Sequence, residues 1–128
     1  MPTVERLALP APLPRLRVAF AADFHIRAST PDRYVEKVSA LVGGLEADLL
    51  LLGGDYGESE SAAGRLFSAL KRHRFPLGAY AVAGNNDAEC FGDIAGLRAL
   101  AGLPVLVNES ARVAVGERVL EIGGVDEM

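Results

Sequence analysis

A chain of 128 residues suits one domain and leaves no room for two of ordinary size. Half of its residues are hydrophobic and 23% are charged, so a buried core can form and wholesale disorder is excluded. A net charge of −4 and a pI near 5.1 argue against a nucleic-acid surface built on phosphate neutralisation, and suit a protein that collects divalent cations.

Residues 1–14 carry Glu5 and Arg6 and then Pro10, Pro12 and Pro14, which predicts an extended, proline-spaced arm rather than a helix or a leader peptide. Residues 15–128 form the domain proper. The apolar run Leu16-Arg17-Val18-Ala19-Phe20-Ala21-Ala22 reads as a first strand closing on Asp23. A helix is expected from Thr30, with Thr30 as cap, Pro31 at the first helical position and Asp32 at the positive end of the dipole. Val35, Val38, Leu41, Val42 and Leu45 give it one buried stripe. Residues 48–52 form a second strand that stops at Gly53-Gly54-Asp55.

The pattern continues with a helix over residues 61–74, on Leu66, Phe67 and Leu70, and a third strand over residues 77–83 that closes on Gly84-Asn85-Asn86-Asp87. A third helix is expected over residues 91–100, with Gly102 and Pro104 as stop signals, and a fourth strand over residues 105–107. Residues 112–115 and 118–123 flank Gly116-Glu117 as a hairpin with a two-residue turn. Alternating strands and helices predict an α/β fold with a parallel βαβαβαβ layer, followed by a β-hairpin. The strands do not alternate in polarity, as expected when both faces of a sheet are covered. No apolar run approaches the roughly 18 to 20 residues that span a bilayer. Cys90 is the single cysteine and forms no intrachain disulfide, which favours a reducing, cytoplasmic setting.

In open parallel sheets, ligands bind beyond the carboxyl ends of the strands. Three strands here end in a residue able to hold a metal: Asp23 with His25, then Asp55, then Asn85. Adjacent strands lie about 4.8 Å apart, so such side chains can converge on one ion. Carboxylates combined with imidazole suit manganese, iron or zinc better than calcium. Each element has a plainer reading as a turn: Asp55 as a cap after two glycines, Asn85 and Asn86 as turn formers tolerant of positive φ. Glu58 and Asp87 read either as groups that orient the ligands or as solvated loop charges. His73, beside Lys71, Arg72 and Arg74 at a helix end, reads as a surface residue.

Asp23-Phe24-His25, Gly54-Asp55-Tyr56-Gly57-Glu58 and Gly84-Asn85-Asn86-Asp87 resemble the first three motifs of the calcineurin-like metallophosphoesterases, D-x-H, G-D-x-x-D/E and G-N-H-D/E, in order and at comparable spacing. The surrounding residues are similar to the bacterial branch that includes UDP-2,3-diacylglucosamine hydrolases and related phosphodiesterases. The resemblance implies Asp23 and His25 on a first metal, Asp55 bridging two metals, and Asn85 on the second. It places Asn86 and Asp87 at the catalytic motif. The activity implied is hydrolysis of phosphomono- or diesters by attack of a metal-bound hydroxide, with two divalent ions (manganese, iron or zinc) as cofactors.

Two departures stand out. Asn86 replaces the family's histidine, and an amide can donate a hydrogen bond but supplies no proton at neutral pH. The family continues with a further histidine and G-H-x-H, whereas this sequence ends at Met128 with His25 and His73 as its two histidines. The expectation is therefore the N-terminal half of an α/β/β/α sandwich, with an apolar face or unpaired strand edge covered by a homo-oligomer or by the missing C-terminal half. The alternative is a catalytically inactive α/β fragment or metal-binding module, acting structurally or completed by another chain. By analogy with that branch, the proline-spaced arm could associate with a membrane surface. A receiver-type domain would need a lysine at a late strand end, but Lys37 and Lys71 fall on helices; a dinucleotide-binding unit would need a G-x-G-x-x-G after the first strand.

Overall fold

A computed structural model of the chain describes residues 3–10, 15–84, 87, 91 and 93–125. Three short parallel strands, β1 (Val18–Ala21), β2 (Leu49–Leu52) and β3 (Ala79–Ala81), lie side by side in chain order. Val18 pairs with Leu49 and Ala21 with Leu52, and Leu50 pairs with Ala79 on the other side. Parallel neighbours need a crossover, and helices α1 (Asp32–Gly44) and α2 (Glu60–Leu70) supply the two. The expected α/β fold is therefore present, and the expected hairpin follows it as β4 (Glu109–Val115) and β5 (Arg118–Gly124). Gly116 turns that hairpin with φ +62° at the first of its two central positions, where a positive φ suits glycine.

Several local expectations shift. Thr30 does not cap α1: its Oγ1 accepts from the Arg27 N–H at 2.9 Å, and Pro31 occupies the cap position without a side-chain bond. The turn 27–30 takes the hydroxyl that the helix was expected to use. Arg65 of α2 secures this turn, donating to the Thr30 and Arg27 carbonyls and to Asp32 Oδ1. The second helix starts at Glu60 because Ser59 caps it through Ala62 N–H, and it stops at Leu70 rather than Arg74. Helix α3 (Ile94–Ala101) begins at its own cap, Asp93, and ends on Gly102 at φ +66°. The fourth parallel strand shrinks to one bridge between Val105 and Ala81. Pro104 has no N–H to extend the ladder, and Asn108, at φ +51°, turns the chain away.

His73 is not the surface residue the sequence suggests. Its ring is half-buried, with Nε2 at 2.9 Å from Ser39 Oγ, whose hydroxyl donates to the Ala69 carbonyl. Gly43 leaves the space this needs, since a Cβ there would fall 2.3 Å from His73 Nδ1.

The core lies on one face of the sheet. Ala19, Leu50, Leu52 and Ala81 are buried with Val35, Val38 and Val42 of α1, Ala63, Leu66 and Phe67 of α2, and Leu97 of α3 in one cluster. On the other face, the row Phe20, Leu51, Tyr80 runs across the three strands, and Phe20 is 70% exposed with Val18 at 43%. Cover on both faces, expected from the unbroken apolar runs, is thus incomplete at β1. Residues 3–10 carry no regular structure and expose Leu7 and Leu9. Among the described residues, no helix is long and apolar enough to cross a membrane.

Phe67 is fully buried and its ring lies 4.7 Å from that of Tyr56, which directly follows Asp55. Phe67→Ala should therefore cost about 3–5 kcal/mol in urea unfolding, whereas Leu41→Ala, on the open side of α1, should cost far less.

Candidate functional site

Beyond the ends of β1 and β2, the backbones of the two following loops stay bonded to each other. Gly53 N–H donates to the Ala21 carbonyl at 2.8 Å, Asp23 N–H to Gly54 at 3.1 Å and His25 N–H to Asp55 at 2.9 Å. Ile26 N–H then donates to Tyr56 at 3.1 Å, and Glu58 N–H returns to Ile26 at 2.8 Å. The parallel pairing thus resumes as a bridge between Ile26 and Gly57. Asp23 and His25 on one loop are held opposite Asp55 on the other.

All three residues adopt a left-handed backbone, with φ of +58° at Asp23, +47° at His25 and +56° at Asp55. Among the described residues only two other non-glycine positions, Glu46 and Asn108, do so. The left-handed conformation costs an L-residue roughly 1–2 kcal/mol, somewhat less for aspartate, and such strain concentrates at functional sites. Its effect is to turn these three polar side chains to one side of the loop pair.

There they meet. Asp23, His25 and Asp55 each offer a ligand atom, all within 4.8 Å of one another, and His25 Nε2 lies 3.9 Å from Asp55 Oδ2. Bonds of about 2.0–2.2 Å place ligand atoms on opposite sides of a cation about 4.0–4.4 Å apart, so small side-chain rotations would close this set on one ion. Two carboxylates and an imidazole form a mixed oxygen and nitrogen set suited to a transition metal or zinc. Asp23 and His25 are exposed and Asp55 half-buried, so the site opens to solvent.

Glycines permit the approach from the third loop. A Cβ on Gly54, at φ +106°, would fall 2.6 Å from Gly84 N, and one on Gly84 would fall 2.5 Å from Asp55 Oδ1. Asn85 and Asn86 lie outside the described residues. Asp87 is buried behind the site. Its Oδ2 accepts from Gly84 N–H at 2.6 Å and Asp55 N–H at 3.0 Å, and its Oδ1 accepts from Tyr56 N–H at 3.3 Å. Glu58 faces solvent and pairs with Arg27 Nε at 3.1 Å. A pair this exposed stabilises little, on the order of 0–1 kcal/mol.

Tyr56 carried no separate signal in the sequence, yet it joins the site to the core. Its hydroxyl lies 2.6 Å from the Val82 carbonyl and 3.2 Å from that of Leu52, so it ties β2 to the chain leaving β3. Burial, reinforced by the nearby Asp87 charge, pushes its phenol far above the usual range, and it stays neutral. Only its place, one residue after a strand-end aspartate and within reach of a third strand, could have indicated this role.

The model of the family described as calcineurin-like phosphoesterase matches residues 16–124. UDP-2,3-diacylglucosamine pyrophosphatase LpxG of Chlamydia muridarum is 34% identical over 74 residues, covering 56% of this chain and 22% of that protein. The protein of the same name from Chlamydia trachomatis serovar D is 35% identical over 74 residues, with the same shares covered. The chain thus spans under a quarter of the length of these curated relatives. No solved structure matches it.

Three converged donors predict saturable binding of manganese. At a hundredfold excess over Kd, Mn²⁺ should stabilise the protein by about 2.7 kcal/mol in thermal unfolding, and Asp55→Ala should abolish that gain.

Proposed function

This chain belongs to the calcineurin-like phosphoesterase family, and on that premise we propose that it serves metal-dependent hydrolysis of phosphomono- or diesters. The observation that carries this reading is the convergence of Asp23, His25 and Asp55 within 4.8 Å at the ends of adjacent parallel strands. A divalent cation bound there supplies a Lewis acid for phosphoryl oxygens and lowers the pKa of water towards neutrality.

In this reading the protein's own groups divide the work. Asp23 and His25 would hold a first cation. Asp55, with two carboxylate oxygens, would be shared with a second, to which Asn85 would be a further donor. Asn86, which takes the place of the family's histidine in the third motif, would offer an amide hydrogen-bond donor to a phosphoryl oxygen and would leave protonation of the departing alcohol to solvent or to another group. The open site lets a phosphate ester approach from outside. Manganese, iron and zinc all accept this donor set. The names of the chlamydial relatives, both pyrophosphatases, favour a diphosphate linkage as one further substrate class to test.

Two cations need more donors than these four residues offer. We assign the remainder to a second copy of the chain or to a C-terminal half, either of which would also cover Phe20, which is 70% exposed. The short stretch of each relative that this chain matches supports that assignment.

Manganese-stimulated hydrolysis of bis-p-nitrophenyl phosphate tests the proposal. Asp55→Ala should lower kcat/KM by about a hundredfold or more, since even partners of metal ligands cost 10–100-fold when lost. Equal background rates for both proteins would contradict enzymatic function. Manganese binding without turnover would instead identify a metal-binding module.

A further inference from the structure

We propose that Asp87 is a positioning residue that sets the cation affinity of Asp55 without touching the cation. The proposal rests on the metal-dependent reading above and adds a control point to it. Its basis is which N–H groups the buried carboxylate holds. Asp87 Oδ2 accepts from the N–H of Asp55, and Oδ1 accepts from the N–H of Tyr56. These belong to the two peptide groups on either side of the Asp55 Cα. One carboxylate therefore grips both planes and fixes φ and ψ at that residue together. The carbonyl between them accepts from His25 N–H at 2.9 Å, so the second plane is pinned on both edges.

With both planes held, the direction of the Asp55 Cα–Cβ bond is set, which limits the carboxylate to the few positions its side-chain rotamers reach from there. This matters because φ +56° is a conformation that costs an aspartate free energy, so a bond that holds it decides how fully it is populated. The Oδ2 atom also takes the Gly84 N–H at 2.6 Å, which ties the start of the third loop to the same anchor. Asp87 itself is 2% exposed, and both its oxygens are engaged by backbone N–H groups. Charge-assisted bonds of this kind are about twice as strong as neutral ones, so the grip outweighs the local strain. Tyr56 supports it from the far side, with its hydroxyl against the Val82 and Leu52 carbonyls.

Asn is close to Asp in size, yet it brings an NH₂ against backbone N–H donors and cannot accept at both positions. Asp87→Asn should therefore weaken Mn²⁺ binding, read by isothermal titration calorimetry, by about 10–100-fold, as loss of a ligand's supporting partner does. Leu97→Ala, in the core of α3, should lower stability while leaving Mn²⁺ affinity within twofold of wild type. A folded Asp87→Asn that binds Mn²⁺ as tightly as wild type would overturn the proposal. Equal affinity of wild type and Asp55→Ala would instead overturn the metal reading beneath it. If Asp87→Asn does not fold, the wild-type protein carries the test. Amide exchange at Asp55 and Tyr56 should slow when Zn²⁺ is added, because coupling between the cation and the grip is reciprocal. Exchange at both amides that ignores Zn²⁺ would count against Asp87.

Discussion

Everything at the site depends on one continuity of backbone. The parallel ladder between β1 and β2 does not end where the strands end. It runs on through Gly53 to Ala21, Asp23 to Gly54, His25 to Asp55 and Ile26 to Tyr56 before closing at Ile26 and Gly57. A loop pair left free would place Asp23, His25 and Asp55 anywhere within several ångströms, and no cation would find them together. Held edge to edge, the two loops become a rigid extension of the sheet. The left-handed residues then turn the side chains to a common point.

The core upholds this arrangement from beneath. Ala19, Leu50, Leu52 and Ala81 pack against α1 and α2 on one face, and the fully buried Phe67 carries that packing upward to the Tyr56 ring. Tyr56 passes it on to the carbonyls at the ends of β2 and β3, and Asp87 closes the circuit by holding the peptide groups around Asp55. Strain at three φ-positive residues is thus offset by bonds whose own donors and acceptors are anchored in the hydrophobic cluster. The opposite face of the sheet is covered only in part: Leu49 is buried there, and Phe20 stands exposed.

What could be read in the sequence follows from the range of the forces involved. Apolar runs stopping at Asp23, at Asp55 and before Asn85 are local patterns, and they indicated the parallel sheet and put Asp23, His25 and Asp55 at strand ends before any coordinates. The hairpin at Gly116 was equally legible, because its turn chemistry lies in two adjacent residues. The errors arose wherever a competing group, near or distant in the chain, decided the outcome. Thr30 looked like a helix cap until Arg27 claimed its hydroxyl. His73 looked solvated, but Ser39, 34 positions earlier, bonds its ring. The strand expected at Val105 met Pro104 and a left-handed Asn108, which left it one bridge. Asp87 could not be separated from a loop charge in the sequence, because its partners Asp55 and Tyr56 lie more than thirty positions away.

The proposed function needs Asp23, His25 and Asp55, from two loops, to share one cation. Anomalous diffraction from crystals soaked in Mn²⁺ tests it most directly. The expected map has a peak bonded to Asp23 and Asp55 oxygens and to a His25 nitrogen, at about 2.0–2.2 Å from each. A manganese peak elsewhere on the molecule, with those three side chains left unbridged, would contradict it.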